Sequence, residues 1–377
     1  MPGYELIGKE EKTNLIEIFE KSNGVFFAHG FDKLRKNKFR VRQFEKSLSK
    51  KFKINYCQCV SSGTAAIKVA LKALNIKPGD EVITQAFNFI ATIEAILDVG
   101  AKPIIANIDE TLNMCPKDLE KKISKKTKAI IPVHMLGFSA DLKNILKIAN
   151  KKNIWVIEDN CEAVGSKYKN KFLGTFGDVG IFSFDFGKNI TTGEGGCIIT
   201  NNKKLYINCK EYHDHGHQLN PKFPRGNDTV KIPGFNYRMT EMQGAVGLAQ
   251  LKKINFIINE NKKRYKILEK KLENKFTIRK CIKNNDPSYD TFMFKVRDKK
   301  IKLKILNSLR RGIGTKNVPD AMKWHCAAYW SHALEKGQVI HAKKSLNLLN
   351  NYIAIPILLK KNLVFYKTLA NDIIKIK

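Results

Sequence analysis

The sequence lacks several features that would assign it to a membrane or secreted class. It contains no apolar run of about 18 residues, so no membrane span is expected. Its opening residues, MPGYELIGKEEKTN, lack the apolar core of a secretory signal peptide. The eight cysteines are scattered without spaced CxxC pairs, which is not the pattern of a disulfide framework. Together these absences predict a cytoplasmic protein with reduced cysteines.

Acidic residues are scarce. There are 35 Asp and Glu against 68 Lys and Arg, which gives a formal net charge of +33. A chain this basic can bind nucleic acid or an anionic membrane surface. Here the basic residues occur in short bursts along the whole length, such as 121–128 and 295–304, without the aromatic or zinc signature of a nucleic-acid-binding motif. We therefore expect no nucleic-acid partner, and a positive field that attracts an anionic small substrate.

Histidine is also sparse, and its one cluster lies in the segment EYHDHGH. His213, His215 and His217 alternate there, so a metal site has to be considered. The spacing is neither HExxH nor that of a zinc finger, and no second group of ligands lies nearby in the sequence. We predict no metal site.

What the chain does have is a regular alternation of strand-like and helix-like segments. Strand-like segments separated by helical stretches of about 10–15 residues predict a mostly parallel sheet with helices on both faces. The strand-like segments are CQCV, EVIT, PIIANID, AIIPVHM and IWVIED. After about residue 255 the chain changes to long basic helices with two strand-like segments, TFMFKV and NYIAIPI. The length of 377 residues then suggests a large domain over 1–250 and a smaller α+β domain over 251–377.

One lysine stands out by its position. Lys188 lies in a loop rich in Gly and Thr between the strand-like segments VGIFSFD and GCIIT. A lysine presented in such a loop can act as a Schiff-base nucleophile or as a point charge on phosphate. From the loop alone, an ordinary surface lysine is the simpler interpretation.

Other polar and aromatic residues also fall at predicted strand ends, where ligands bind in open α/β sheets. The SSGT turn after CQCV leads into a helix, so its free N–H groups and the hydroxyls of Ser62 and Thr64 predict an anion site, although both residues also serve as ordinary N-caps. Asp159 closes an apolar strand as a partly buried carboxylate that needs a cationic partner. Phe87 and Phe89 are predicted to begin the helix after EVIT. This convergence points to one site at one edge of the sheet.

Taken together, these segments resemble the DegT/StrS family of sugar aminotransferases. The matching motifs cover roughly residues 5–255 in the family's order: SSGTAAI, FNFIATIEAILDVGAKPIIANID, VHMLG, IEDNCEAVGSKY, GTFGDVGIFSFDFGKNITTGEGG and GFNYRMTEMQGAVGLAQL. The resemblance implies the aspartate-aminotransferase fold (fold type I), an α/β large domain with a mostly parallel sheet and a smaller α+β domain. It also implies pyridoxal 5'-phosphate (PLP) as cofactor and a homodimer with shared active sites.

The resemblance also assigns roles to residues. Lys188 would bind the cofactor covalently and later act as the base that moves a proton between substrate and cofactor. Asp159 would pair with the pyridine nitrogen and keep it protonated, which makes the ring an electron sink. Phe89 would stack on the ring.

The remaining cofactor contacts follow from the same resemblance. The cofactor phosphate would be held by Gly63, Thr64 and Ser183, with Asn236 reaching the phosphate of the neighbouring subunit. Ser62 is a further expected cofactor contact. Glu162 would lie near the phenolic oxygen, at a position where Gln or His is frequent in the family. A carboxylate at that position would have to be protonated or paired.

The lysine also bears on the reaction. Related sugar dehydratases carry His in its place, so Lys188 favours transamination over dehydration. The segments MPGYELIGKEE, DHGH with the following PRG, and WHCAAYW resemble 8-amino-3,8-dideoxy-manno-octulosonate transaminases. This subgroup implies L-glutamate as amino donor and the C8 aldehyde of an oxidised octulosonate as acceptor, in lipopolysaccharide biosynthesis.

Two alternatives remain for the substrate and the activity. The first is a nucleotide-linked 4-keto-6-deoxy sugar of the perosamine type, and the second is a PLP-dependent dehydratase. An acidic octulosonate would suit a basic pocket. The residues expected to contact it are Arg225, Arg238, His215 and His325.

Overall fold

The computed structural model describes residues 2–220 and 222–377, without the side chains of residues 2 and 225. The described chain is rich in helix. The α-helices are α1 (Pro2–Glu5), α2 (Lys9–Ser22), α3 (Arg40–Phe52), α4 (Gly63–Ala73), α5 (Ala91–Asp98), α6 (Pro116–Lys122), α7 (Leu142–Lys152), α8 (Lys203–Tyr212), α9 (Glu241–Leu272), α10 (Lys299–Arg310), α11 (Met322–His325), α12 (Lys336–Leu349) and α13 (Leu363–Lys375).

The strands form one large and two small sheets. They are β1 (Tyr56–Val60), β2 (Glu81–Gln85), β3 (Lys102–Ala106), β4 (Thr127–Ile131), β5 (Trp155–Asp159), β6 (Lys167–Tyr168), β7 (Lys171–Phe172), β8 (Val179–Ser183), β9 (Gly196–Thr200), β10 (Thr277–Ile278), β11 (Asn285–Asp286), β12 (Thr291–Lys295) and β13 (Tyr352–Pro356). The large sheet has the order β1-β9-β8-β5-β4-β2-β3. All its pairings are parallel except those of β9 with β1 and β8. The expected mostly parallel sheet is therefore confirmed.

Helices cover both faces of this sheet. Because the central strands are buried on both sides, they read as continuous apolar runs, and every residue of β8 and β9 is buried. On one face, α4, α5 and α8 contribute to one apolar cluster with the strands. On the other face, the apolar stripes of α3 and α9 pack on β1, β8 and β9. This layered arrangement is that of an α/β fold.

The helix after β2 begins later than the sequence suggests. The expectation that it starts at Phe87 and Phe89 is wrong, because α5 begins only at Ala91. Phe87 instead forms a β-bridge with Cys326, and the Asn88 side chain accepts a hydrogen bond of 2.7 Å from the Phe89 backbone N–H. These contacts hold residues 87–90 in an irregular path. Phe89 thereby stays at the end of the strand rather than on a helix face.

The C-terminal part of the chain is built on a second core. β12 pairs with β10 and β13 in an antiparallel sheet, which packs against α10, α13 and the second half of α9. With 32 residues, α9 is about 48 Å long and begins with a capping box between Thr240 and Gln243. The predicted domain division after residue 250 falls inside this helix. The division into two domains stays a prediction.

Two further expectations concern the chain as a whole. All eight cysteines are free thiols. Within the described residues, no helix combines the length and the apolar character that crossing a membrane requires.

Candidate active site

A cavity of about 450 Å³ opens at the carboxyl ends of β1, β2, β5 and β8. β1 and β8 are both antiparallel to β9, so they run in the same direction as each other and as β5. Their carboxyl ends therefore meet at one edge of the sheet. The residues predicted from the sequence that line this cavity are Ser62, Gly63, Thr64, Phe89, Asp159, Glu162, Ser183, Lys188 and His325.

Lys188 lies in the turn after β8 and its ammonium is paired. Its Nζ is 2.6 Å from Glu162 Oε1, and the Lys188 side chain is only 18% exposed. Burial alone favours the neutral amine, but the Glu162 carboxylate outweighs it and raises the pKa of Lys188 well above its ordinary value. The N-terminal helix α1 also contacts the Lys188 loop. The Gly3 N–H donates to the Lys188 carbonyl over 3.2 Å, and the Tyr4 ring stacks on the Phe186 ring.

Glu162 is a paired, ionised carboxylate. Its second oxygen lies 3.7 Å from Lys316 Nζ, and Lys316 is 2.6 Å from Asp290 Oδ2. Burial opposes the charge on Glu162, but the two lysines outweigh it and lower the pKa of Glu162 to about 2. Sequence reasoning missed Lys316 and Asp290, because neither belongs to a motif and both come from the C-terminal part. A buried lysine cannot be recognised in a chain with this many lysines.

Asp159 is a buried carboxylate without a cationic partner among the described residues. It is 3% exposed. Its Oδ1 accepts from the Cys161 N–H over 3.0 Å and its Oδ2 from the Thr92 hydroxyl over 3.2 Å. Burial raises the pKa of Asp159 above its ordinary value, although these hydrogen bonds and the charge of Lys188 oppose the shift. No described residue supplies the cation expected beside Asp159, so this carboxylate is available to pair with a cationic ligand. Thr92, on α5, was not predicted.

The N-terminus of α4 forms one wall. Ser62 is an ordinary N-cap, since its hydroxyl accepts from the Ala65 N–H over 3.0 Å. The backbone N–H groups of Gly63 and Thr64 precede the first intrahelical donor and donate to no described residue, so they can bind an anion. Gly63 is needed here because a Cβ on it would lie 2.8 Å from the Ser183 Cβ. The anion-site and N-cap interpretations of the SSGT turn are thus compatible.

The rings of Phe89 and His325 also line the cavity. The Phe89 ring lies 5.3 Å from the His325 ring and 6.4 Å from Trp324, both on the short helix α11. The Nδ1–H of His325 donates to the Ala321 carbonyl over 2.8 Å, which makes Nε2 the acceptor nitrogen of the neutral ring. Burial lowers the pKa of His325, so the neutral form is favoured.

The other predicted contacts do not line this cavity. The backbone of Asn236 forms a β-bridge with that of Asp214. The Arg238 guanidinium pairs with the buried side-chain carboxylate of Asp214. His215 is exposed. The Arg225 side chain lies outside the described residues. A substrate or cofactor role for these four residues stays a prediction, and the described residues contain no group of three potential ligands placed to hold a metal.

The cavity fits the expected cofactor. Asp159 offers a buried carboxylate for a protonated ring nitrogen, and Lys188 offers an amine for an aldehyde. The Gly63 and Thr64 N–H groups, with Ser183 beside them, offer a helix N-terminus for a phosphate. Phe89 offers a ring for stacking. These groups match the ring nitrogen, the aldehyde, the phosphate and the ring face of PLP.

Sequence comparison finds one family model that matches most of the chain. The sequence model described as the DegT/DnrJ/EryC1/StrS aminotransferase family matches residues 32–359. GDP-perosamine synthase of Escherichia coli O157:H7 is 41% identical over 241 residues, which cover 64% of this chain and 65% of that protein. GDP-perosamine synthase of Caulobacter vibrioides is 39% identical over 216 residues, 57% of each chain. The matched segments thus span less than two thirds of these relatives.

A solved structure agrees over a longer stretch. The Helicobacter pylori protein PseC, described as an aminotransferase involved in the biosynthesis of pseudoaminic acid, superposes with a TM-score of 0.81 at 26% sequence identity. The match covers 98% of this chain and 96% of that one. The fold expected from the sequence is confirmed by this likeness.

Proposed function

The chain belongs to the DegT/DnrJ/EryC1/StrS aminotransferase family, and on that premise we propose that it is an aminotransferase that moves an amino group from L-glutamate to a keto or aldehyde sugar. PLP, the cofactor of this family, supplies the electron sink for the reaction when it is bound. The observation that carries the proposal is the placement of Lys188 and Asp159 in one cavity, with a free helix N-terminus beside them.

Lys188 is the group that moves protons. Its Nζ donates to Glu162. This hydrogen bond holds the Lys188 side chain in the cavity and keeps the amine protonated until a ligand binds to Lys188. Once Lys188 is free and neutral, its Nζ can accept a proton from the substrate carbon that carries the amine and return it to a neighbouring atom. The conversion of glutamate and the amination of the sugar use the same Nζ in opposite directions.

Asp159 and the walls of the cavity orient what Lys188 acts on. The carboxylate of Asp159 is fixed by the Cys161 N–H and the Thr92 hydroxyl, so it can hold a ring N–H without rearrangement. The N–H groups at the start of α4 would anchor a phosphate. Phe89 would fix the plane of the ring from one face.

For the acceptor we propose a nucleotide-linked 4-keto-6-deoxy sugar of the perosamine type. Support comes from the two GDP-perosamine synthases, at 41% and 39% identity. The C8 aldehyde of an oxidised octulosonate is the second candidate. It is favoured by the α11 region, where Trp324 is 59% exposed beside Phe89 and the segment WHCAAYW resembles octulosonate transaminases.

We also propose a homodimer with shared sites. Asn236 lies outside the cavity of its own chain, which suits a residue that serves a neighbouring subunit. Large apolar side chains are exposed in two stretches, Phe31 and Leu34 in the N-terminal loop and Phe223, Val230 and Phe235 before α9. An apolar surface of this kind is typical of an interface.

A spectroscopic titration tests the activity. PLP added to the purified protein should give the absorption band of lysine-bound cofactor, and L-glutamate should convert it to the band of the amine form. Lys188→Ala should give neither change, whereas the exposed control Lys204→Ala should behave as wild type. Each candidate sugar is then tested for its ability to reverse the conversion. A wild-type protein without a cofactor band would refute the proposal.

Mixing variants tests the shared sites. Dimers of Lys188→Ala alone and of Asn236→Ala alone should be inactive. In a re-associated equal mixture, half of the dimers contain one subunit of each variant, and each of these has one intact site of two. The mixture should therefore recover about a quarter of wild-type activity. No recovery in a mixture shown to have exchanged subunits would contradict sharing through Asn236.

A further inference from the structure

The second lysine of the cavity has no role in the function proposed above. Lys316 lines the cavity, and its side chain is 7% exposed. Its backbone N–H donates to the Ala354 carbonyl of β13 over 3.0 Å, and its Nζ is 2.6 Å from Asp290, which directly precedes β12. The small C-terminal sheet thus holds a buried cation at the edge of the cavity.

Glu162 is shared between the two lysines. One of its oxygens lies 2.6 Å from Lys188 Nζ and the other lies 3.7 Å from Lys316 Nζ. Lys188, Lys316, Glu162 and Asp290 therefore form a chain of two cations and two anions. Because the side chains are mostly buried, solvent screens these charges little, and changing one of them alters the others.

The other charged or titratable groups around Lys188 come from several elements. They act on Lys188 from the end of β5, from the loops on either side of Lys188 and from α11, and they are Asp159, Cys161, Asp185, Glu194 and His325. Among the described cavity-lining residues, only the two lysines are fixed cations. Lys316 is therefore the cation that competes with Lys188 for Glu162.

We propose that Lys316 is a positioning residue that acts through Glu162: by sharing this carboxylate, it limits how tightly Glu162 holds the proton on Lys188. A carboxylate paired with one lysine alone would keep that lysine protonated, and a protonated amine cannot react. With Lys316 in place, a larger fraction of Lys188 is neutral at a given pH. This role rests on the proposed function, in which Lys188 must lose its proton to act.

The rate at which Lys188 reacts in the full-length, cofactor-free chain tests the proposal. Reductive methylation with formaldehyde and cyanoborohydride, followed by peptide mass spectrometry, gives the labelling rate of Lys188 as a function of pH. Lys316→Met should raise the apparent pKa of Lys188 by about one unit and slow labelling about tenfold below that pKa. Lys316→Arg, which keeps the charge, should label within about twofold of wild type.

Two further variants separate this role from a structural one. Lys316→Met/Asp290→Asn removes the buried pair as a unit, so no unpaired charge threatens folding, and it should also slow Lys188 labelling. In a Glu162→Gln background, where Lys188 should react faster than in wild type, Lys316→Met should change the rate by less than about twofold, because the shared carboxylate is gone. A wild-type labelling profile in the double variant, or an equal effect of Lys316→Met in both backgrounds, would overturn the proposal.

The failure of this proposal is distinguishable from failure of the proposed function. Labelling with formaldehyde needs neither PLP nor a sugar, so it reports on Lys188 even if the protein is not an aminotransferase. Conversely, if wild type binds PLP and responds to glutamate while Lys316→Met labels as wild type, only the role of Lys316 is refuted.

Discussion

Replacing Asp159 with Asn should separate the stability of the cofactor-free chain from its affinity for PLP. Asn has the shape of Asp, and it can keep both neighbours: its oxygen can accept from the Cys161 N–H and its amide can donate to the Thr92 hydroxyl. What the substitution removes is a negative charge that is 3% exposed and has no ion-pair partner among the described residues. The two measurable quantities should therefore move in opposite directions.

The direction in which Asp159→Asn changes the free energy of unfolding follows from the pKa of Asp159. Because burial raises this pKa in the folded chain, the folded state binds the proton more tightly than the unfolded state does. The cofactor-free wild type should thus lose stability as the pH rises from the ordinary pKa of aspartate through the raised one. Asp159→Asn cannot show this loss, so at neutral pH it should be at least as stable as wild type in thermal denaturation.

The expected loss of PLP affinity follows from the hydrogen bond between the Asp159 carboxylate and the protonated ring nitrogen, which Asn would weaken. A hydrogen bond between charged groups contributes about 1.5–3 kcal/mol, so the affinity for PLP should fall about 10- to 150-fold. Equilibrium titration followed by absorbance measures it, and Glu194→Gln, an exposed acid of the same cavity, is the matched control. Unchanged PLP affinity, or a cofactor-free variant clearly less stable than wild type at neutral pH, would refute the reasoning.

Two glycine substitutions test close contacts around the cavity. Gly63→Ala places a Cβ 2.8 Å from the Ser183 Cβ, so it should lower the free energy of unfolding by about 1–3 kcal/mol and weaken PLP binding at least about tenfold; normal binding would show that α4 does not hold the phosphate. Gly3→Ala places a Cβ 2.5 Å from the Lys188 carbonyl oxygen and should displace the N-terminal turn, which slows PLP uptake measured by stopped flow. Gly337→Ala is the control, because its added Cβ meets no atom within 4 Å. This substitution should leave the free energy of unfolding unchanged or raise it by up to about 1 kcal/mol in urea denaturation.

Local patterns were enough to predict the strands and the edge at which the site lies. The apolar runs ending in Asp159 and Ser183 are strands because β-branched and aromatic residues fit a sheet buried on both faces. Their polar successors then had to meet at the carboxyl ends of the parallel strands. For this reason the cavity contains the turn after β1, Asp159 and Lys188 together, as expected.

The prediction for the start of α5 failed because a distant contact decides the conformation there. The bridge from Phe87 to Cys326 delays the start of α5, although the local sequence is compatible with an earlier start. The α9 helix continues across residue 250 because its two halves pack on different cores, which composition alone does not indicate.

The sequence by itself determined the order of the elements, the family and the identity of the groups at the strand ends, because each depends on residues close together in the chain. Only the tertiary structure decided the charge state of the site. Glu162 could have been protonated or paired. It is paired with Lys188 and with Lys316, and Lys316 is held beside the small C-terminal sheet by Asp290. Electrostatic interactions depend on distance and burial, and neither can be read from positions more than a hundred residues apart in the sequence.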